Sequence, residues 1–218
     1  MVNSSVVGAS LRERSKAKRR EMIRRTGIRL FAERGYEATT IAEIAEAVEL
    51  SPRTISLYFP TKADIALSVS DDLAARLIAT FRDHPDADFV TAIDLWLAGM
   101  ERDIDPELIT LNAALFEANP ALQSLSSRHL AAAAQHGHGL LLRQLGLPAN
   151  HPMVAYAGGA IGGAIMEYSN NLVALRTNPD LHQSFIGYLR AIIDAARPKC
   201  VPPMSPLRRR PSPTDSTI

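Results

Sequence analysis

The side chains best suited to chemistry in this sequence lie on one face of a short segment, residues 52–59. Ile55 and Phe59 are four positions apart, so on a helix both face inward and Arg53, Ser56 and Leu57 face outward. An arginine in that position can donate to O6 and N7 of guanine together, which discriminates against a wrong base by about 1–3 kcal/mol. These residue types predict recognition of nucleic acid.

The charge distribution places a polyanionic partner at the same end of the chain. Residues 1–62 carry 12 basic and 7 acidic side chains, whereas residues 63–197 carry 8 and 15, within a net charge of +1. Six basic side chains crowd the beginning of the sequence: Arg12, Arg14, Lys16, Lys18, Arg19 and Arg20. We expect this stretch to follow a DNA backbone or to enter the minor groove, which adds salt-sensitive affinity independent of base sequence.

Two helices are predicted before the recognition segment. Residues 12–34 have helical periodicity, and Gly35 ends this helix because glycine readily takes the left-handed conformation used past helix ends. Thr39 or Thr40 then caps a short second helix through its side-chain oxygen. Glu43 is placed to complete a capping box with Thr40.

The recognition segment is the third helix of this unit. Ser51 caps it, and Pro52 occupies its first position, where the missing N–H costs nothing. Two short helices joined by a tight turn after a stabilising first helix are typical of the helix-turn-helix, which places its last helix in the DNA major groove.

The remaining chain predicts a larger helical body, so the fold class is all-α. Thr61 with Asp64 resembles the capped start of a long helix that reaches Phe81. Further segments of helical periodicity follow at residues 88–102, 106–118, 121–145, 151–176 and 180–197. The predicted organisation is a flexible N-terminus (1–11), a DNA-binding head (12–62), a ligand-binding and dimerisation body (63–197) and a disordered Pro/Arg-rich tail (198–218).

The block GYEATTIAEIAEAVELSPRTISLYFPTKADI resembles the DNA-binding head of the tetracycline-repressor (TetR) family. The resemblance covers roughly residues 20–67, and order, spacing and residue identity agree along it. The matching positions are Gly35, Tyr36, Thr39, Thr40, Ile44, Ala45, Ser51, Thr54, Tyr58, Phe59 and Lys62. The resemblance implies a homodimeric transcriptional regulator, usually a repressor, that binds a palindromic DNA operator and responds to a small-molecule effector.

Position by position, the resemblance also implies roles for residues of the head. The phosphate donors are Thr40, Thr54, Tyr58 and Lys62. The base-facing residues are Pro52, Arg53 and Ser56, and Thr39 and Ser51 complete the candidate DNA-binding set. Two alternatives stay open, since Tyr58 also fits a core aromatic and Lys62 a solvated lysine.

Two positions depart from the family pattern. Glu49 stands where the family usually has glycine in the turn, so it must adopt a strained positive φ or use another turn geometry. Ser56 stands where the family usually has an aromatic residue. Both changes affect the operator sequence that we expect rather than the fold.

The predicted body offers larger side chains for a ligand pocket between its helices, which is also what the resemblance implies. The candidates are Trp96, Met100, Leu111, Phe116, Met166 and Tyr168, each of which also fits an ordinary core residue. Gly159 and Gly163 lie four apart and permit close approach of another helix or room for a ligand. The resemblance implies a four-helix dimer interface formed by the last two helices, with candidates Phe185, Tyr188, Leu189, Ile192 and Ile193.

The residue pattern does not support catalysis, a cofactor or a metal. The sequence contains no glycine-rich phosphate loop and no Ser-His-Asp order, and its one cysteine, Cys200, lies in the predicted tail. A metal site remains an alternative because His129 and His136 share a helix face, although suitably spaced carboxylates are absent.

We expect a soluble cytoplasmic protein with no membrane partner. The chain has no secretory leader, its longest weakly polar run is too short to cross a bilayer, and a single cysteine suits a reducing compartment. Two rival functions differ from regulation: a helical ligand carrier whose head lacks specific DNA readout, and an enzyme with its active site in the body.

Overall fold

The fold of a computed structural model is described for residues 11–103, 105–171 and 178–198. Its helices are α1 (Leu11–Arg34), α2 (Ile41–Ala47), α3 (Pro52–Tyr58), α4 (Lys62–Asp83), α5 (Phe89–Asp103), α6 (Pro106–Ala118), α7 (Pro120–Ala134), α8 (His138–Leu145), α9 (Pro152–Asn170) and α10 (Pro179–Ala196). No strand occurs among these residues, which confirms the predicted all-α fold. Within the same ranges, no helix is both long enough and apolar enough to span a bilayer.

Three of the predicted helix starts are present as hydrogen-bonded caps. Thr40 and Glu43 form a capping box at α2, and Thr61 and Asp64 form one at α4. The hydroxyl of Ser51 accepts from the backbone N–H of Thr54 at α3. Each cap satisfies backbone donors that the first turn of a helix leaves without a partner, so the short sequence signals set these boundaries.

The head has its own apolar core, which continues into the body. Its buried centre is formed by Ile23 and Phe31 of α1, Ile44 of α2, and Ile55 and Phe59 at α3. Leu115 of α6 and Leu122 of α7 belong to the same cluster. The head therefore packs directly on α6 and α7.

Helix α4 contributes to the head core and to the larger body core. Its first turns place Ile65 and Leu67 in the head cluster, and its last turns place Leu77 and Phe81 in the body cluster. All six residues from Ile65 to Ser70 are buried. This part of α4 has no face open to solvent, since neighbouring helices surround it. A shift of α4 would therefore require both cores to repack.

Salt bridges join α1 to the body alongside this apolar contact. Arg24 pairs with Asp72 of α4, Arg25 pairs with Asp105 at the start of α6, and Arg29 lies 3.2 Å from Glu107. These residues are partly exposed, so each pair stabilises by only about 0–1 kcal/mol.

The prediction of one helix over residues 121–145 is wrong, because a 3₁₀ turn at Gln135–Gly137 separates α7 from α8. The ring of Phe81 lies against the backbone at Gly137, where an added Cβ would be 2.4 Å from the phenylalanine Cζ. The 3₁₀ turn lies at this position because glycine, which has no side chain, leaves room for the Phe81 ring. Helix α9 ends at Asn170, and the predicted continuation over residues 172–176 lies outside the described residues.

Gly137→Ala should lower the free energy of unfolding by about 1–3 kcal/mol, because the new methyl overlaps the Phe81 ring in a packed core. Gly139→Ala is the matched control: its nearest neighbour would be Arg143 Nη1 at 3.9 Å, so helix propensity should raise the free energy of unfolding by up to about 1 kcal/mol. Urea unfolding followed by circular dichroism measures both changes. Equal effects of the two substitutions would contradict the close contact.

Candidate nucleic-acid interface

Helix α3 presents the outward face that its sequence predicts. Ile55 is wholly buried and the following Phe59 is 1% exposed, whereas Arg53 and Ser56 are exposed and Leu57 is 77% exposed. Ser56 donates its hydroxyl to the carbonyl of Pro52 at 3.2 Å, which leaves the oxygen of Ser56 free to accept. The face offers a cationic donor, a hydroxyl oxygen and an apolar side chain together, which are the groups that read base edges in a major groove.

The turn between α2 and α3 adopts a strained positive φ at Glu49. This is the first of the two alternatives that the sequence offers for a turn without glycine. Glu49 has φ of 55°, the single non-glycine positive φ among the described residues. Hydrogen bonds hold it there: Glu49 N–H donates to the Glu46 carbonyl at 3.1 Å, and Leu50 N–H donates to the Ala45 carbonyl at 2.9 Å. The turn therefore keeps a left-handed geometry without glycine, at a cost of about 1–2 kcal/mol.

Two predicted phosphate donors already have partners at helix caps. The hydroxyl of Thr40 lies 2.8 Å from Glu43 Oε2, and the backbone N–H of Thr40 donates to the same oxygen at 2.7 Å. The backbone N–H and then the hydroxyl of Thr40 hold the pKa of the Glu43 carboxyl below its ordinary value. Thr54 shares a 2.8 Å hydrogen bond with Ser51. A phosphate at α2 would have to compete with the Glu43 carboxylate.

Thr39 does not fit the predicted DNA contact. It is wholly buried, and its hydroxyl donates to the carbonyls of Gly35 at 2.9 Å and Leu30 at 3.2 Å. The chain turns back at the end of α1, which carries this side chain inward while the adjacent Thr40 stays exposed. Thr39 therefore closes the end of α1 and has no access to DNA.

Lys62 has a role that neither sequence alternative included. Its Nζ donates to the carbonyls of Tyr36 at 2.8 Å and Thr39 at 3.2 Å, and it lies 4.3 Å from the centroid of the Tyr36 ring. Its side chain is 23% exposed. The ammonium group therefore fastens the loop between α1 and α2 to the first turn of α4.

Arg20 makes a similar contact at the C-terminal end of α3, which sequence reasoning missed. Its Nη1 donates to the carbonyl of Tyr58 at 2.9 Å, and its guanidinium lies 4.2 Å above the Phe59 ring. Tyr58 is half-buried and packs against the head core. The basic composition of α1 indicated a cation here, but no spacing rule connects α1 to the end of α3.

The remaining basic side chains of the first turns form an exposed arm. Residues 12–19 of α1 are exposed around the whole helix, so the basic side chains of this stretch point to solvent. Its cations are therefore free to meet a polyanion.

The candidate pocket residues separate into two groups. Trp96 is 2% exposed and Met100 wholly buried, and the indole N–H of Trp96 donates to the Leu73 carbonyl at 3.1 Å, so both are core residues. Phe116 and Met166 line a cavity between α4, α6, α7 and α9.

The other two pocket candidates face away from that cavity. Leu111 packs beside Ile28, Val69 and Leu108 in a small cluster between α1, α4 and α6. Tyr168 is 4% exposed, and its hydroxyl lies 2.6 Å from Nδ1 of His182, whose Nε2 lies 2.8 Å from Asp94. This hydrogen-bonded chain ties α9, α10 and α5 together.

The histidines of α7 and the following turn have separate partners. Nδ1 of His129 lies 2.7 Å from Asp71, and Nδ1 of His136 lies 3.2 Å from the Ala133 carbonyl. Across the described part of the chain, no three His, Cys, Asp or Glu side chains lie close enough together to hold a metal ion.

The comparisons with known sequences concern the same head. Residues 23–69 match the family described as bacterial regulatory proteins, tetR family. The chain is 36% identical over 78 residues to the HTH-type transcriptional regulator TcmR of Streptomyces glaucescens. That match covers 36% of this chain and 34% of TcmR, so the chain spans about a third of this relative's length.

The comparisons with solved structures concern the whole fold. A transcriptional regulator of the TerR/AcrR family from Aquifex aeolicus VF5 superposes with a TM-score of 0.56 at 16% identity, over 79% of this chain and 98% of that one. A TetR-family regulator from Rhodococcus sp. gives 0.55 at 15% identity, over 81% and 99%. These likenesses extend the shared all-helical fold into the body.

Lys62→Met should lower the free energy of unfolding by about 1–3 kcal/mol, because the carbonyls of Tyr36 and Thr39 lose a charged donor while the side-chain stem remains. Arg53→Met makes a similar change at an exposed site and should stay within about 0.5 kcal/mol of the parent protein. Urea unfolding without DNA measures both. A Lys62→Met protein as stable as Arg53→Met would rule out the carbonyl anchor.

Proposed function

The chain carries the head of the TetR family of bacterial regulatory proteins, and from this premise we propose that it is a sequence-specific transcriptional regulator that represses until a small molecule releases it from DNA. The observation that carries the proposal is the exposed face of α3 with Arg53 and Ser56, whose C-terminal end is held by Arg20 bound to the Tyr58 carbonyl. Lys62 holds the neighbouring loop between α1 and α2 through the Tyr36 carbonyl. A helix fixed on the head core presents Arg53 from a rigid element, as base recognition requires.

Base readout is assigned to Pro52, Arg53 and Ser56, and positioning to the groups around them. Thr54 and Tyr58 are half-exposed at the edge of α3 and suit phosphate contacts. The exposed arm of α1 adds contacts to the backbone or the minor groove. Specificity and affinity therefore come from different helices.

The regulator binds DNA as a homodimer through α9 and α10. These helices pack on each other, and their outer surface carries the exposed apolar side chains Tyr156, Leu181 and Tyr188. A methyl group added at Gly159 or Gly163 would meet no side chain of the described residues within 4 Å, so a second helix can approach closely. Two other predicted interface residues, Leu189 and Ile193, are buried in the body core and do not belong to this surface.

Dimerisation places two recognition helices on one face of the DNA. A two-fold axis through the α9–α10 surface requires a palindromic operator, whose half-sites lie about 34–36 Å apart, one turn of the double helix. Release follows when an effector binds a body conformation in which α4 tilts, since this helix enters both cores. The effector must bind the two conformations with different affinities, because equal affinity shifts neither population.

Selection of bound fragments from random or genomic DNA tests the operator. The parent protein should enrich one palindromic sequence, and Arg53→Ala should relax the preference at one base pair in each half-site, by about 1–3 kcal/mol per pair. Arg14→Ala, on the exposed arm, should instead weaken all sequences alike and reduce the salt dependence. Parent protein that enriches no sequence would overturn the proposal and favour the ligand carrier.

Tyr188→Glu tests the dimer. Tyr188 is 56% exposed, so its replacement should leave the fold intact while a buried charge separates the subunits. Leu57→Glu is the control, since Leu57 is 77% exposed on α3 in the head. Sedimentation without DNA should give a monomer for Tyr188→Glu and a dimer for Leu57→Glu. A monomeric parent protein, or a dimeric Tyr188→Glu protein, would contradict the assigned interface.

A further inference from the structure

Two adjoining chambers lie in the body: the smaller between α4, α6, α7 and α9, and the larger between α4, α5, α7, α8 and α9. The larger has a volume of about 250 Å³ and the smaller about 90 Å³. Ser127, Leu130 and Met166 line both chambers, and the Ser127 hydroxyl lies 3.7 Å from the Met166 sulfur. This contact forms a neck between them.

The larger chamber has mostly apolar walls. Leu77, Phe89 and Ile161 line it, and His138 is the one titratable residue that the described walls contribute. Met166, at the neck, is 36% exposed, so it is free to change rotamer without moving the core. A flat or extended apolar group therefore fits here.

The smaller chamber is lined by uncharged polar groups among apolar side chains. Ser70 and Ser126 share a hydrogen bond of 2.6 Å and so satisfy each other. Asn112 also lines this chamber, and its Oδ1 is buried with no hydrogen-bond partner among the described residues. A buried acceptor without a donor is unfavourable, so a ligand that donates to this oxygen gains affinity at this point.

Neither described chamber wall contains Asp, Glu, Lys or Arg. An ionised ligand would lose its hydration without meeting an opposite charge, which is strongly unfavourable in an apolar surrounding. The lining therefore selects against carboxylates, phosphates and amines that are charged at neutral pH.

We propose that the effector is an uncharged, elongated, mostly apolar molecule that extends through the neck, with its apolar part in the larger chamber and a hydrogen-bond donor on Asn112. The regulatory role of this molecule rests on the proposed function, but its binding involves the body alone. Specificity comes from one polar contact at the far end of an apolar channel.

Three probes that share a biphenyl core and differ in the 4-substituent test the ligand class by isothermal titration calorimetry on the full chain without DNA. Biphenyl-4-ol donates and accepts, 4-methoxybiphenyl only accepts, and biphenyl-4-carboxylate is charged. Biphenyl-4-ol should bind about ten-fold or more tighter than 4-methoxybiphenyl, the effect expected of a donor that satisfies a buried acceptor. The carboxylate should bind most weakly, and equal or stronger binding by it would overturn the proposal.

Asn112→Leu identifies the acceptor. This variant should bind biphenyl-4-ol and 4-methoxybiphenyl with nearly equal affinity, because the amide oxygen is gone and the apolar chamber remains. Binding of 4-methoxybiphenyl at the parent level is the control for folding. A retained preference for the alcohol, or loss of both probes from a variant with parent-like unfolding, would show that Asn112 is not the contact.

Met166→Trp tests the neck. The larger side chain should block the passage and weaken all biphenyl probes at least ten-fold, while the circular dichroism of the variant without probes stays parent-like. Parent-like binding of the probes by this variant would refute the two-chamber path. Failure of the probe series with intact operator binding would sink this inference alone, whereas absence of any operator would sink the proposed function whatever the probes do.

Discussion

Helix α4 is buried in two cores at once, and the arrangement of the rest of the chain depends on that constraint. Its first turns complete the head, its last turns complete the body, and the six residues from Ile65 to Ser70 have no free face. Leu115 and Leu122 extend the head core into α6 and α7, so the head does not pivot on a flexible linker. A change of packing around α4 is therefore felt by the recognition helix.

The head is held together by cations that bind carbonyl oxygens. Lys62 holds the loop after α1, and Arg20 holds the end of α3 through Tyr58. Thr39 adds a third contact with backbone carbonyls, from inside the head. Several polar residues whose pattern suggests DNA binding therefore build the head, while Arg53, Ser56 and Leu57 are left exposed on α3. A small head needs such contacts because its apolar core is limited.

The arm of α1 and the chambers of the body differ in charge. The exposed arm of α1 is cationic and suits a polyanion, whereas the chambers of the body have uncharged walls over the described residues. Salt bridges such as Arg25 with Asp105 lie where the two parts meet at the surface. Under the proposed function, DNA meets a cationic arm and the effector meets uncharged walls, and this difference favours each ligand at its own site.

The sequence by itself determined the helices and the outward face of α3, because caps and periodicity act between residues three or four apart. The capping box of Thr40 with Glu43 is of this kind. Only the tertiary structure decided that Thr39 is buried beside an exposed Thr40 and that Lys62 binds carbonyls. It also decided that the helix over residues 121–145 is interrupted at Gly137, where Phe81 packs. These outcomes depend on contacts between different helices and loops, and no local pattern encodes which side chain such a contact will cover.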